Sequence, residues 1–268
     1  MSGWENILVE RKGSLGKITL NRPEARNSLD NATAREVLDG LNQHFGDPQV
    51  RSIVIAGAGN AFCAGGDLKQ MRALSSMSGE QAYAWPTAIV EAHKAMLIAD
   101  KPVIAAVNGP ALAGGMGLAG MCDIIIALKD AQFGLPEVKI GLFPMIIVAQ
   151  LSRSMPRKHL LEMMLTGDPM SAEEAYRLGF VNKLADDMAD MDTLVADYAR
   201  RFEKTSPTAV ALGRRAFNLL SDMPASQAVD AAQFLNLPFF FGDDIKEGAN
   251  AFFEKRKPKW NPFRKKSE

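Results

Sequence analysis

The chain is poor in the features that mark several functional classes. Two cysteines occur in 268 residues, Cys63 and Cys122, far apart and each in apolar surroundings. That is too few for a disulfide scaffold, and reduced thiols in a cytoplasmic compartment are the expected state. The three histidines, His44, His93 and His159, each fall in a helix-like stretch with no partner at metal-ligand spacing. No metal site is therefore expected, and all three read as surface or packing residues. Charge of one sign is lacking too. Lys and Arg number 31 and Asp and Glu number 31, and without a clustered basic excess no nucleic-acid partner is expected. No apolar run is long enough to span a bilayer, so no membrane partner is expected. The opening stretch MSGWENILVERKG has no apolar signal region and carries acids, which argues against a secretory signal or transit peptide. A Gly-X-Ser-X-Gly nucleophile elbow is also missing.

What is present is an ordinary globular composition, with 47% apolar and 23% charged residues. The 14 methionines suit an adaptable core or an acyl pocket. Short β-prone runs at 6–11 and 17–20 flank Lys12-Gly13 and predict a hairpin. Apolar residues at Val37, Leu38, Leu41 and Phe45 have helical spacing over 31–45, and Asp47-Pro48 ends that helix. Buried-type strands are predicted at 52–56, 103–107 and 124–128, and one helix over 79–99. After Leu142 the pattern is almost wholly helical to the end. Strands alternating with helices predict an α/β fold built from crossovers. A core over 1–200 and a helical C-terminal region over 201–268 are the expected divisions, with a basic tail at 255–266.

Two glycine-rich loops follow the first two buried strands, where open α/β folds bind ligands. The first contains Phe62-Cys63-Ala64-Gly65-Gly66-Asp67-Leu68. It is no Walker loop, since no Lys-Ser/Thr follows its glycines, and no dinucleotide fingerprint, since Phe62 holds the third glycine position. It offers backbone amides that a ligand can approach, and Asp67 is placed to cap the helix that follows. Alone, it is as readily a plain strand-to-helix connection. The second loop, residues 108–119, opens a helix with small residues, and the free N–H groups and positive dipole end of that helix face whatever sits above. Close packing of helix on strand explains this equally well when taken alone. Two such loops from neighbouring strands together can aim two N–H groups at one oxygen, which is an oxyanion hole.

Those segments, with Lys101-Pro102-Val103-Ile104-Ala105-Ala106-Val107-Asn108-Gly109, Cys122-Asp123-Ile124, Phe133-Gly134-Leu135-Pro136-Glu137, Leu165-Thr166-Gly167 and Glu247-Gly248, resemble the enoyl-CoA hydratase/isomerase (crotonase) family in order along the chain. The resemblance implies a crotonase-like spiral of ββα units with a helical C-terminal trimerisation region, assembled as a homotrimer or hexamer. It implies an acyl-CoA thioester substrate, with coenzyme A carried in as part of that substrate and no permanently bound cofactor. The amides of Ala64 and Gly114 would hold the thioester oxygen, and Ala64, Gly65, Gly66, Asp67 and Leu68 would cradle the CoA. Met71, Tyr83 and Trp85 would line the acyl pocket, though core packing explains each as well. Lys255, among the basic residues near Trp260, would reach a CoA phosphate, where a solvated tail is the plainer reading.

The carboxylates bear on the reaction. A two-glutamate hydratase of this family has one Glu at the position of Gly117 and another at Glu137. Here the first is glycine and the second is kept. Glu137 is then the one candidate acid/base, with Gly117 in the pocket wall. Double-bond isomerisation of an enoyl-CoA is the preferred expectation, because one base serves two carbons without water. Hydration of a 2-enoyl-CoA and hydratase-lyase chemistry are the alternatives, and a non-catalytic CoA-thioester binding protein is the alternative from another class. The apolar stretch Phe143-Pro144-Met145-Ile146-Ile147 replaces a segment that is glycine-rich in many family hydratases, and is expected to reshape the acyl tunnel.

Overall fold

The computed structural model describes residues 3–260; the part of the basic tail from 261 on lies outside the described residues. The strands are β1 (Ile7–Lys12), β2 (Leu15–Leu20), β3 (Ser52–Gly57), β4 (Val103–Val107), β5 (Ala111–Leu112), β6 (Ile124–Leu128), β7 (Gln132–Gly134), β8 (Met170–Ser171) and β9 (Lys183–Ala185). The helices are α1 (Asn31–Gly46), α2 (Leu68–Met71), α3 (Gly79–Ala84), α4 (Thr87–Leu97), α5 (Gly114–Gly120), α6 (Met145–Ser154) and α7 (Arg157–Thr166). They continue with α8 (Ala172–Arg177), α9 (Met188–Glu203), α10 (Pro207–Ser221), α11 (Ala225–Leu235), α12 (Leu237–Phe240) and α13 (Asp243–Phe253).

The chain winds between two sheets. The larger has the order β1-β2-β3-β4-β6-β9 and the smaller β5-β7-β8. Only the β1–β2 hairpin is antiparallel in the larger sheet; the other pairings are parallel. Successive turns give one strand to each sheet and then a helical segment: β4, β5 and α5, then β6, β7 and the 3-10 turn Pro136–Ile140. This is the spiral of ββα units that the family resemblance implies.

The central strands are apolar on both faces because both faces are covered. On one side Ile53, Ile55, Val103, Ala105, Val107 and Ile125 pack with Val37 and Leu41 of α1 and Met96 of α4. On the other, Val54, Ile104, Ala106 and Ile126 pack under Met191 and Val195 of α9. The Asp30 side chain caps α1 by accepting from the Thr33 N–H at 2.7 Å. At its other end the buried Lys101 ammonium donates to the carbonyl oxygens of His44, at 2.7 Å, and Asp47. Those carbonyls lack a bond from four residues on and otherwise accept only from the Asp47 and Val50 N–H groups, so the cation completes them and meets the negative end of the helix dipole.

Two expectations change. The helix predicted over 79–99 is two helices, α3 and α4, because Pro86 has no N–H to donate back to the preceding turn. The stretch after Leu142 is interrupted by β8 and β9, which are two and three residues long. Strands that short carry no alternating pattern; β9 exists because Ile126–Leu128 offers it an edge. The residues 200 and 201 at which the two expected regions meet lie within α9, and α10 begins at Pro207.

His93 on α4 is buried and its Nε2 has no partner among the described residues. Burial lowers its pKa from 6.5 to about 4. The folded state therefore holds His93 neutral where the unfolded chain binds a proton. Its contribution is full above pH 6.5 and is lost as pH falls towards 4, by about 3 kcal/mol at pH 4. Replacing His93 with Leu removes the titrating group and should flatten the acid limb of stability, measured by denaturant melts between pH 7 and 4. An unchanged acid limb in His93→Leu would assign that limb to other groups.

Candidate active site

The two glycine-rich loops leave the C-terminal ends of the adjacent parallel strands β3 and β4 and run against each other backbone to backbone. The Cys63 N–H donates to the Pro110 carbonyl at 3.1 Å, and the Leu112 N–H donates to the Cys63 carbonyl at 2.9 Å. Glycine permits the approach. A Cβ on Gly115 would stand 2.2 Å from the Cys63 carbonyl oxygen, and one on Gly109 would stand 2.3 Å from that of Asn60. Two buried asparagines tie the loops down. Asn108 accepts from the Gly57 N–H at 3.1 Å and donates to the Gly59 carbonyl at 3.0 Å. Asn27 donates to the carbonyls of Ala58 and Ala61, both at 2.8 Å.

Asp67 caps α2, accepting from the Lys69 N–H at 2.9 Å. Its other oxygen meets the guanidinium of Arg22 at 3.4 Å, and the same guanidinium bridges to Asp30, the cap of α1, at 2.9 Å. Arg22 also donates to the Ser28 carbonyl at 2.9 Å. One nearly buried cation therefore joins the N-terminal ends of two helices and fixes the exit of the first loop. Nothing in the spacing of Arg22, Asp30 and Asp67 announces this network.

The expected role of Ala64 needs correction. Its N–H donates to the Arg26 carbonyl at 3.0 Å, so it is not available to a ligand. Two residues on, the Gly66 N–H has no acceptor among the described residues, because the local bridge to Leu29 uses the Gly65 carbonyl and the Asp67 N–H instead. The Gly114 N–H, at the first position of α5, likewise has no acceptor among the described residues. A Cβ on Gly114 would lie 4.0 Å from the Gly66 nitrogen, and one on Gly65 would lie 3.3 Å from the Gly114 nitrogen. The free N–H pair in this structure is thus Gly66 and Gly114, both half-buried. With seven residues in α5, individual N–H groups matter here more than a long helix dipole.

Glu137 follows β7, the strand of the small sheet that pairs with β5 in the second loop. β5 pairs with β7, with Leu112 opposite Gly134, and the Ala113 N–H donates to the Gly134 carbonyl at 2.8 Å. Three residues beyond Gly134, Glu137 sits in the 3-10 turn Pro136–Ile140, which Gly141 closes in the left-handed region. The carboxylate oxygen Oε2 is buried with no partner among the described residues. Burial raises the Glu137 pKa above the ordinary 4.5, offset in part by a bond to its own backbone. A desolvated, unpartnered carboxylate is a poor structural element and a competent base.

Gly117 is buried under α6. A Cβ there would stand 2.1 Å from Cγ2 and 2.8 Å from Cβ of Ile147. The expected pocket-wall position is filled by a side chain thirty residues away in sequence. Met71 lies over Gly66, where a Cβ would meet its methyl at 2.3 Å, whereas Tyr83 is almost fully exposed. Cys63 is buried and its thiol pKa is pushed up to about 12, and burial likewise raises Cys122, so neither supplies a thiolate. Lys255 stands exposed just beyond α13 with φ +53°. Neighbouring Arg256 is engaged by Glu247, at 2.6 and 3.0 Å, and Trp260 donates to the Lys204 carbonyl at 2.9 Å. These bonds tie the start of the tail to α13 and to the end of α9. Among the described residues no group of three or more His, Cys, Asp and Glu could hold a metal ion, and no helix is long and apolar enough to cross a membrane.

The chain is similar to known proteins along nearly its whole length. A family model described as enoyl-CoA hydratase/isomerase matches residues 10–262. The mitochondrial enoyl-CoA hydratase of Pongo abelii is 36% identical over 96% of this chain and 88% of its own. The short-chain-enoyl-CoA hydratase of Clostridium acetobutylicum is 33% identical over 94% and 96%. The crystal structure of enoyl-CoA hydratase from Mycobacterium smegmatis superposes with a TM-score of 0.89 at 33% identity, covering 96% of this chain and 99% of that one.

The Arg22 network gives a direct test of what holds the first loop. Arg22→Met leaves the carboxylates of Asp30 and Asp67 without their shared cation and should cost about 3 kcal/mol of stability. Arg22→Lys should recover only part, since a point charge cannot repeat the bridging geometry. Urea denaturation of the three proteins measures this, and equal midpoints would show the bridge to be idle.

Proposed function

We propose, from the premise that this chain belongs to the enoyl-CoA hydratase/isomerase family, that it binds an enoyl-CoA thioester and shifts its double bond with Glu137 as the sole side-chain acid/base. The thioester oxygen accepts from the N–H groups of Gly66 and Gly114. Glu137 removes a proton from the α-carbon of a 3-enoyl-CoA, and the two N–H groups take up the charge that develops on oxygen. The same carboxyl returns the proton to the γ-carbon, giving the 2-enoyl-CoA with no water added or lost. Coenzyme A enters as part of the substrate, against the backbone of residues 64–68. Lys255 is the candidate contact for a CoA phosphate, from a neighbouring subunit.

The observation that carries this reading is the Ile147 side chain over Gly117. A hydratase that uses two glutamates needs room at that position for a carboxylate and its water. Here the first carbon of such a side chain would overlap Ile147. The second reading is hydration of a 2-enoyl-CoA, or hydration coupled to C–C cleavage, with Glu137 alone positioning water. It is favoured by the printed names of the relatives, which are hydratases. A non-catalytic CoA-binding role is disfavoured by Oε2 of Glu137, since leaving a carboxylate buried and unpartnered costs stability without a return in binding.

Assembly belongs to the same proposal. The C-terminal helices leave Phe217, Phe234, Phe252 and Phe253 between 71% and 80% exposed, and α11 and α12 have no buried residue. That is more aromatic surface than a lone domain leaves in water. We infer a homotrimer or hexamer built on this face. Sedimentation should give a trimer-based mass, and a monomer at every concentration would overturn it.

Incubation with 3-enoyl-CoA and 2-enoyl-CoA thioesters separates the readings by mass, because hydration adds a water and isomerisation leaves the mass unchanged. Glu137→Gln should lower kcat by about 10² or more with little change in thioester affinity. The acid limb of kcat/KM should lie above pH 4.5, since the raised Glu137 must be ionised to act. Gly117→Glu alone should add no hydration, because Ile147 fills the space, whereas Gly117→Glu with Ile147→Gly should gain it. Full activity in Glu137→Gln, or efficient hydration by wild type, would sink the one-carboxylate isomerase.

A further inference from the structure

Ala113 is the one non-glycine residue with positive φ in the two loops, at φ +50° and ψ −125°. That region is open to glycine and strained for any residue with a Cβ. Arg26, Asn27 and Lys255 also have positive φ, but their ψ or their setting is that of ordinary turns; Ala113 stands directly before Gly114 at the N-cap of α5. Its backbone is held from both sides. The N–H donates to the Gly134 carbonyl at 2.8 Å, and the carbonyl accepts the first helical bond of α5, from the Gly117 N–H, at 3.1 Å. The methyl group faces the other loop: a Cβ on Gly65 would stand 2.6 Å from the Ala113 Cβ, in space that the methyl already claims. Gly65, itself at φ +92°, immediately precedes Gly66.

The residues that precede the two free N–H groups are therefore in contact, and the contact is one methyl set in a strained backbone. We propose that Ala113 is a positioning residue: its methyl is the spacer that sets the separation of the Gly66 and Gly114 N–H groups, and its strained backbone aims the Gly114 N–H. This inference rests on the proposed use of that pair to hold a thioester oxygen. A glycine here would adopt the same φ and ψ without strain and would leave a gap against Gly65, so the two loops could close or slide by a fraction of an ångström. Donors that stabilise charge only as it develops are sensitive to displacements of that size.

The test is Ala113→Gly beside Ala113→Ser, each with thermal melting and steady-state kinetics on whichever 3-enoyl-CoA or 2-enoyl-CoA thioester wild type turns over faster. Ala113→Gly should melt about 2–4 °C higher as strain is relieved. Its kcat should fall about tenfold with KM little changed, because the lost interaction belongs to the transition state. Ala113→Ser keeps the Cβ and should keep wild-type kcat and melting temperature. A merely structural role would move kcat and melting temperature together or leave kcat alone; either result for Ala113→Gly overturns the proposal. Wild type inert on both thioesters is a separate failure, of the thioester reading itself, and takes this inference with it.

Discussion

The Cys63 N–H bonds to the Pro110 carbonyl and the Leu112 N–H bonds to the Cys63 carbonyl, and this two-bond splice holds the glycine-rich loops side by side. Every feature of the candidate site depends on that join. The splice forms because β3 and β4 are parallel neighbours, so their outgoing loops emerge side by side. It closes because Gly109 and Gly115 have no Cβ to hold the backbones apart. With the loops joined, the Gly66 and Gly114 N–H groups are left over by the local hydrogen bonding among the described residues, which is the basis for the oxygen-holding role proposed for them.

At Gly117, three residues after Gly114, the molecule is apolar where the two-glutamate pattern of the family has a carboxylate. Ile147 closes over Gly117, and Glu137 remains as a carboxylate with a desolvated oxygen and a raised pKa. The two features support one another. Filling the Gly117 position removes the space for a second carboxylate, and burial brings the remaining one nearer the proton affinity that a base for carbon acids needs. The strain at Ala113 fits the same picture, a local cost carried by surrounding bonds at a place where chemistry is proposed.

The outer helices follow a different logic. α9 belongs to the core, since Met191 and Val195 cover a sheet face. α10 is docked onto the core by the Arg214–Asp123 pair at 2.7 Å, and from there to α13 most apolar side chains face outward. Phenylalanines left exposed beyond a well-filled two-sheet core are the observation on which the proposed assembly rests.

Much of this was legible in the sequence, for local reasons. The apolar runs at 52–56, 103–107 and 124–128 determined buried parallel strands, the glycines determined close-packed loops at their ends, and the ordered motifs determined the family. Asp67 as a cap and Pro86 as a break are also local chemistry, although the spacing over 79–99 reads as one helix. What the sequence left open is what distance in space decides. In the run Ala64-Gly65-Gly66 every amide is alike on paper, and only the Arg26 carbonyl, brought in from another turn of the spiral, takes the Ala64 N–H and leaves that of Gly66 free. Gly117 is a plain glycine until Ile147 is seen to occupy the place of its missing side chain. Secondary structure and motifs follow from neighbours along the chain. Which donor stays unpaired, and which space stays empty, follows from neighbours across it, and only the tertiary fold sets those.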